Sequence, residues 1–140
     1  MQRTVAIRLK IPDNEAYTAM VALRRLGLVL DNVEREDILL VDDRGDAATL
    51  ANRIKEDETL FNPNKHELDV LDIGRPRPGE AWIAPLDARA TVHRIAGVEA
   101  AQRYTGWRLF WKGAPAGPDL VNAAVERLLC NPAIESAVVG

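Results

Sequence analysis

The chain opens on an alternation. In TVAIRLKI, residues 4–11, Val5, Ile7, Leu9 and Ile11 point one way and Thr4, Ala6, Arg8 and Lys10 the other. A period of two predicts a strand with one buried face. Pro12 ends it, and Asp13 or Asn14 can cap a helix. The period then lengthens. Ala16, Met20, Leu23 and Leu26 or Gly27 recur on one face with Tyr17 beside them, which predicts a helix over 14–26 stopped by Gly27. Residues 28–42 predict a strand, a charged interruption and a second apolar stretch at 38–41. DDRGD, 42–46, is a turn and cap. Residues 47–61 predict a helix with Ala47, Leu50, Ala51, Ile54, Glu58 and Phe61 near one stripe, broken by Asn62-Pro63. Residues 67–73 predict a strand.

GRPRPGE, 74–80, fits neither a helix nor a central strand and predicts a stiff linker whose arginines are solvated. The order of elements then returns. Residues 81–86 predict a short strand carrying Trp82, Ile83 and Leu86, and 87–97 a capped helix ending at Gly97. Residues 98–113 predict an extended segment with a hairpin or bulge around Thr105-Gly106, and 114–118 a loop. Residues 119–130 predict a helix with Val121, Ala124, Val125 and Leu128 on one stripe. Asn131-Pro132 stops it before a last strand.

The landmarks of the two halves keep a common distance. The two Asn-Pro pairs lie 69 residues apart; Gly27 and Gly97, and Arg24 and Arg94, lie 70 apart. Order, offset and element type agree, which predicts a duplication. The fold class expected is α+β: two tandem ferredoxin-like β-α-β-β-α-β units forming a pseudo-dimer, with antiparallel sheets and helices packed on one face. The units would be residues 1–73 and 81–140, joined by 74–80. Each alone would be marginal, and joining them would give a continuous core.

Composition narrows the function. The 140 residues carry a formal charge of -3, 47% hydrophobic and 28% charged residues, a globular balance without the basic stripe of a nucleic-acid binder. The single cysteine excludes an internal disulfide. No apolar run approaches the ~20 residues of a membrane span, and the N-terminus enters a strand pattern without a signal-peptide core, so a cytoplasmic protein is expected. Candidate chemistry is sparse. His66, in a loop beside Glu67, and His93, in the expected helix, lack a metal-ligand spacing and read as surface or boundary residues. Cys130 ends a helix, where the dipole disfavours a thiolate, and reads as a core cysteine. The aspartates of VDDRGD read as a solvated turn and cap. No catalytic residue, cofactor site or metal site is expected. WRLFWK stands out: Trp107, Leu109 and Trp111 alternate with Arg108, Phe110 and Lys112. Both faces carry an aromatic, so Trp107, Leu109, Phe110 and Trp111 are the candidate partner-contact residues.

AVERLLCNPAIESAVV, 124–139, resembles the C-terminal signature of the PurS family, the small subunit of phosphoribosylformylglycinamidine synthase. Leu128, Leu129, Asn131, Pro132, Ile134 and Glu135 match its pattern. The opening VAIRLKI, the helix end RRLG and the pair Val33-Glu34, repeated as Val98-Glu99, are similar too. IPDNEAY and IAPLDARA depart from the family where it carries a proline-glycine stretch. The resemblance implies a tandem copy equivalent to a fused dimer, acting as a non-catalytic adaptor in purine biosynthesis. It would bridge the amidotransferase and synthetase subunits, which would hold the catalytic and ATP sites. Homo-oligomers through sheet edges are compatible with such a fold. Two other readings stay open: a regulatory domain binding a metabolite in a cleft between the repeats, and a small enzyme using His66 or His93.

Overall fold

The computed structural model describes residues 2–87, 92–95 and 98–140, with only the backbone given for 93–95 and 98–100. The chain is α+β. Its elements are β1 (Gln2–Leu9), α1 (Asn14–Arg25), β2 (Asn32–Asp42), α2 (Ala47–Lys55), β3 (His66–Leu71), β4 (Glu80–Pro85), β5 (Val92–Ile95), β6 (Val98–Trp111), β7 (Ala114–Pro115), α3 (Pro118–Ala124) with a π turn at Val125–Leu129, and β8 (Glu135–Val139). One sheet runs β3-β1-β2-β6-β4-β8, with β5 and β7 also paired to β6. Among the described residues every pairing is antiparallel.

Alternation along the strands sorts the side chains into two faces. On one, Val5, Ile7, Leu39 and Val41 meet Leu50 and Ile54 of α2, with Leu60 and Phe61. On the same face Val33, Ala81, Ile83 and Leu109 meet Ala16 and Leu23 of α1 and Val121 and Ala124 of α3. The opposite face buries Ala6, Ile38 and Trp82. Burying the two helix-face clusters is the main drive to this arrangement, at roughly 25 cal/mol per Å² of apolar surface.

Several elements differ from the sequence pattern, each for a local reason. The charged stretch 34–37 does not interrupt β2. Its side chains find partners on both sides of the sheet: Arg35 donates to Asp13 and Glu15, Glu34 accepts from Arg108, and Glu36 accepts from Arg8 and Arg77. Helix α2 stops at Lys55, because Asp57 takes both the N–H and the hydroxyl of Thr59 into a competing turn. The π turn after α3, where Cys130 N–H bonds Val125 C=O, adds a residue to the last turn. Leu129 therefore enters the core and Leu128 is 42% exposed, so the expected stripe holds at Val121, Ala124 and Val125 but not at Leu128. Residues 92–95 are strand β5, not part of a helix over 87–97; the remainder of that stretch, 88–91 and 96–97, lies outside the described residues. No hairpin or bulge falls at Thr105-Gly106: β6 pairs with β2 in one register from Asn32 opposite Phe110 to Val41 opposite Ala101. Gly106 serves packing instead, since a Cβ there would lie 2.8 Å from Ile38 Cγ1. The hairpin comes later, at Lys112 and Gly113, both at positive φ, the two-residue turn between β6 and β7. The halves also share a single sheet rather than joining two.

The register has an approximate two-fold centre at Asp37 opposite Thr105. About it, Ile7 opposite Asp37 answers Ile83 opposite Thr105, and Leu9 opposite His66 answers Pro85 opposite Glu135. The two Asn-Pro turns correspond bond by bond. Asn62 C=O accepts from His66 N–H at 2.8 Å, and Asn131 C=O from Glu135 N–H at 2.8 Å. Asn62 Oδ1 accepts from Asn64 N–H and Asn131 Oδ1 from Ala133 N–H. His66 Nδ1 accepts from Asn62 N–H and Glu135 Oε1 from Asn131 N–H, both at 2.9 Å. Asn62→Ala and Asn131→Ala should each lower stability by about 1 kcal/mol, one side-chain hydrogen bond's worth. Urea unfolding checks this, and a large loss at one site with none at the other would contradict the equivalence.

Candidate functional site

The aromatic strand is divided by its own alternation. Leu109 is fully buried beneath α3. Trp107 packs on the same core cluster from the side and is half-buried. Phe110 lies on the opposite face with the Arg108 guanidinium 5.1 Å from its ring centroid. Trp111 is 40% exposed, with Lys112 Nζ 5.6 Å from its ring. The strand therefore brings the four residues together in sequence but not on one surface. Leu109 offers a partner nothing, and of the four residues Trp111 is the one a partner can reach most fully.

The feature that dominates the opposite face is not legible in the hydrophobic pattern. Glu36 of β2 and Glu80 of β4 are both fully buried. The linker supplies their counterion. Arg77 Nη2 lies 2.5 Å from Glu36 Oε1 and 2.8 Å from Glu80 Oε2, and Arg77 N–H donates to Glu80 Oε1 at 3.0 Å. Trp82 Nε1 donates to the same oxygen at 3.0 Å. Arg8 joins from β1, 3.4 Å from Glu36 Oε2, while also binding Glu67 and Asp69 at 2.8 Å. Arg108 Nε lies 3.9 Å from Glu36 Oε1 and is buried without a hydrogen bond among the described residues. The linker is thus no solvated spacer: Arg75 is exposed, but Arg77 is pinned, and the Ile73 carbonyl accepts from Thr4 Oγ1 at 2.6 Å.

Burial raises the Glu36 pKa above the ordinary glutamate value; Glu80 adds to this, and Arg77, Arg108 and Arg8 oppose it. Burial works against the Arg77 charge, yet the Glu80 hydrogen bond and the two carboxylates raise its pKa. The sign for Glu36 comes from linkage. Its native pKa exceeds its unfolded value, so the native state binds more protons between the two. This contribution to stability is fully present below the ordinary glutamate pKa and is lost as pH rises through the raised native one. Wild type minus Glu36→Gln should show that fall in unfolding free energy across mildly acidic pH. A flat difference would contradict it.

His66 Nδ1 is engaged in the Asn62 turn, and the His93 side chain lies outside the described residues. Cys130 is partly buried against the core, and burial, followed by Glu135, raises its pKa. Asp43 binds Arg3 and Asp46 caps α2. Among the described residues no group of three His, Cys, Asp or Glu could hold a metal ion, and no helix is long and apolar enough to cross a membrane. Two open cavities lie among the described residues. One of about 350 Å³ lies beside α1 and is lined by Ile11, Tyr17, Met20, Val33 and Arg35 among others. Another of about 320 Å³ draws Asp37 from the first half and Ile83, Pro85, Arg103 and Thr105 from the second.

No protein-family model matches the chain, and no curated protein matches it.

Proposed function

We propose that the chain is a PurS-like tandem subunit, a non-catalytic cytoplasmic adaptor of phosphoribosylformylglycinamidine synthase in purine biosynthesis. It bridges the amidotransferase and synthetase subunits, which carry the chemistry. The observation that supports this most is the doubled Asn-Pro turn, the element at the centre of the family-like signature. Both copies stand at a helix-to-strand junction, and the strand register relates them about one centre, the arrangement expected of two fused ferredoxin-like units. The ionic cluster fits the same reading: a linker between fused copies has to be fastened, and Arg77 fastens it. Trp111, exposed at one end of the sheet, is the contact assigned to a partner. The test is reconstitution. With ATP and glutamine, the amidotransferase and synthetase subunits from the same cell should form product efficiently only when this chain is added. Product formation indifferent to the chain would remove the reading.

A second reading has one specific observation in its favour. The cavity at Asp37, Ile83, Pro85, Arg103 and Thr105 draws on both halves, as a metabolite site between repeats would. A ligand there would raise the unfolding midpoint in proportion to the logarithm of its concentration. A screen of nucleotides and amino acids without any shift would remove it.

A further inference from the structure

We propose that the chain forms a closed homodimer in which β8 pairs with β8 of a second copy, antiparallel about Ala137. This dimer is independent of the adaptor reading and starts from the two outer strands of the sheet. By the register, β3 and β8 hold corresponding places in the two halves. On β3 the face opposite the helices carries Glu67 and Asp69, both bound by Arg8. The corresponding residues of β8 are Ser136 and Val138, and the counterpart of Arg8 on β4 is Ala84. Charged side chains along an edge oppose the addition of another strand. The β3 edge keeps that guard and the β8 edge has exchanged it for small and apolar side chains. Val138 and the flanking Ile134 and Leu86 are 45%, 62% and 58% exposed.

The backbone is set for the addition. Leu86 N–H bonds Ile134 C=O and Gly140 N–H bonds Glu80 C=O. Antiparallel alternation then turns the N–H groups of Ala137 and Val139, and the carbonyls of Glu135, Ala137 and Val139, away from β4. The Glu135 N–H is already used by Asn131. A two-fold axis at Ala137 sets Ala137 opposite its own copy and Val139 opposite Glu135 of the second copy. Each free N–H then meets a free carbonyl; the Glu135 N–H already in use leaves only the Val139 carbonyl facing it without a strand partner, open to water. Glu135 meets valine rather than glutamate, so no like charges face each other, and its carboxylate is turned back to Asn131. Pairing β8 with β3 of another copy would instead put Glu67 and Asp69 on the contact and would propagate without closing.

Sedimentation velocity of the full chain tests this across roughly 1–100 µM, the range in which a small interface dissociates. Wild type should approach twice the 15.5 kDa of one chain. Ala137→Lys sets two ammonium groups side by side across the axis. Ala137→Pro removes the outward N–H without taking a bond from the β4 ladder. Each should weaken association by about tenfold or more with the far-UV spectrum unchanged. A monomer at every wild-type concentration, a mass growing beyond two chains, or a dimer that survives both substitutions would overturn the proposal.

Discussion

Replacing Arg77 by methionine should lower the free energy of unfolding by about 3–5 kcal/mol, the range for a buried carboxylate stripped of its counterion. The partners that remain decide where the loss falls. Glu36 would keep Arg8 at 3.4 Å and Arg108 at 3.9 Å. Glu80 would keep only the Trp82 N–H among its described side-chain partners, with its carboxylate still out of water. The loss should therefore fall mainly on Glu80, and Arg77→Met combined with Glu80→Gln should be more stable than Arg77→Met alone. Urea unfolding reads both, with the midpoint moving and the slope constant if the change is in stability alone. A loss below about 1 kcal/mol for Arg77→Met would mean that the cluster behaves as a surface ion pair.

Trp82→Ala should cost a similar amount, about 3–5 kcal/mol. The indole is 2% exposed, stacks on Tyr104 at 5.2 Å between centroids, and packs with Ala6 and Ile38 on the face opposite the helices. Truncation leaves a cavity that the central strands cannot close, and it removes a donor from Glu80. Trp111→Ala is the contrast. Its ring is 40% exposed at a strand end, so stability should change by no more than about 0.5 kcal/mol, while partner binding falls. Equal losses for the two tryptophans would contradict the division between core and contact residues.

The periodic elements were legible in the sequence. The alternation of 4–11 and the helical spacing of 14–26 describe β1 and α1 within two residues, including the Asp13 cap. The Asn131-Pro132 stop was legible because proline acts on its own neighbours, without tertiary help. Helix α2 was not stopped by Asn62-Pro63 but ended earlier, at Lys55, where the Asp57–Thr59 turn competes. What was hidden depends on distant partners. Glu36 in VERED looks solvated until Arg77, 41 residues on, is brought against it. The fate of Leu128 turned on one inserted π turn, which hydrophobic spacing cannot register. Residues 92–95 come after a capping signal at Asp87 that reads as helix, yet pairing with the start of β6 prevails. WRLFWK was legible as an aromatic strand, but which of its faces the helices would cover was not, and Leu109 went to the core.

The adaptor reading requires this chain to hold two larger subunits together, and a single mass decides it. The chain would be mixed with the amidotransferase and synthetase subunits of the same cell, in the presence of ATP and glutamine, and the mass of the assembly read by light scattering. A stable complex containing all three, weakened by Trp111→Ala, is the result the adaptor reading predicts. Three components that elute separately, with this chain bound to neither of the others, would contradict it.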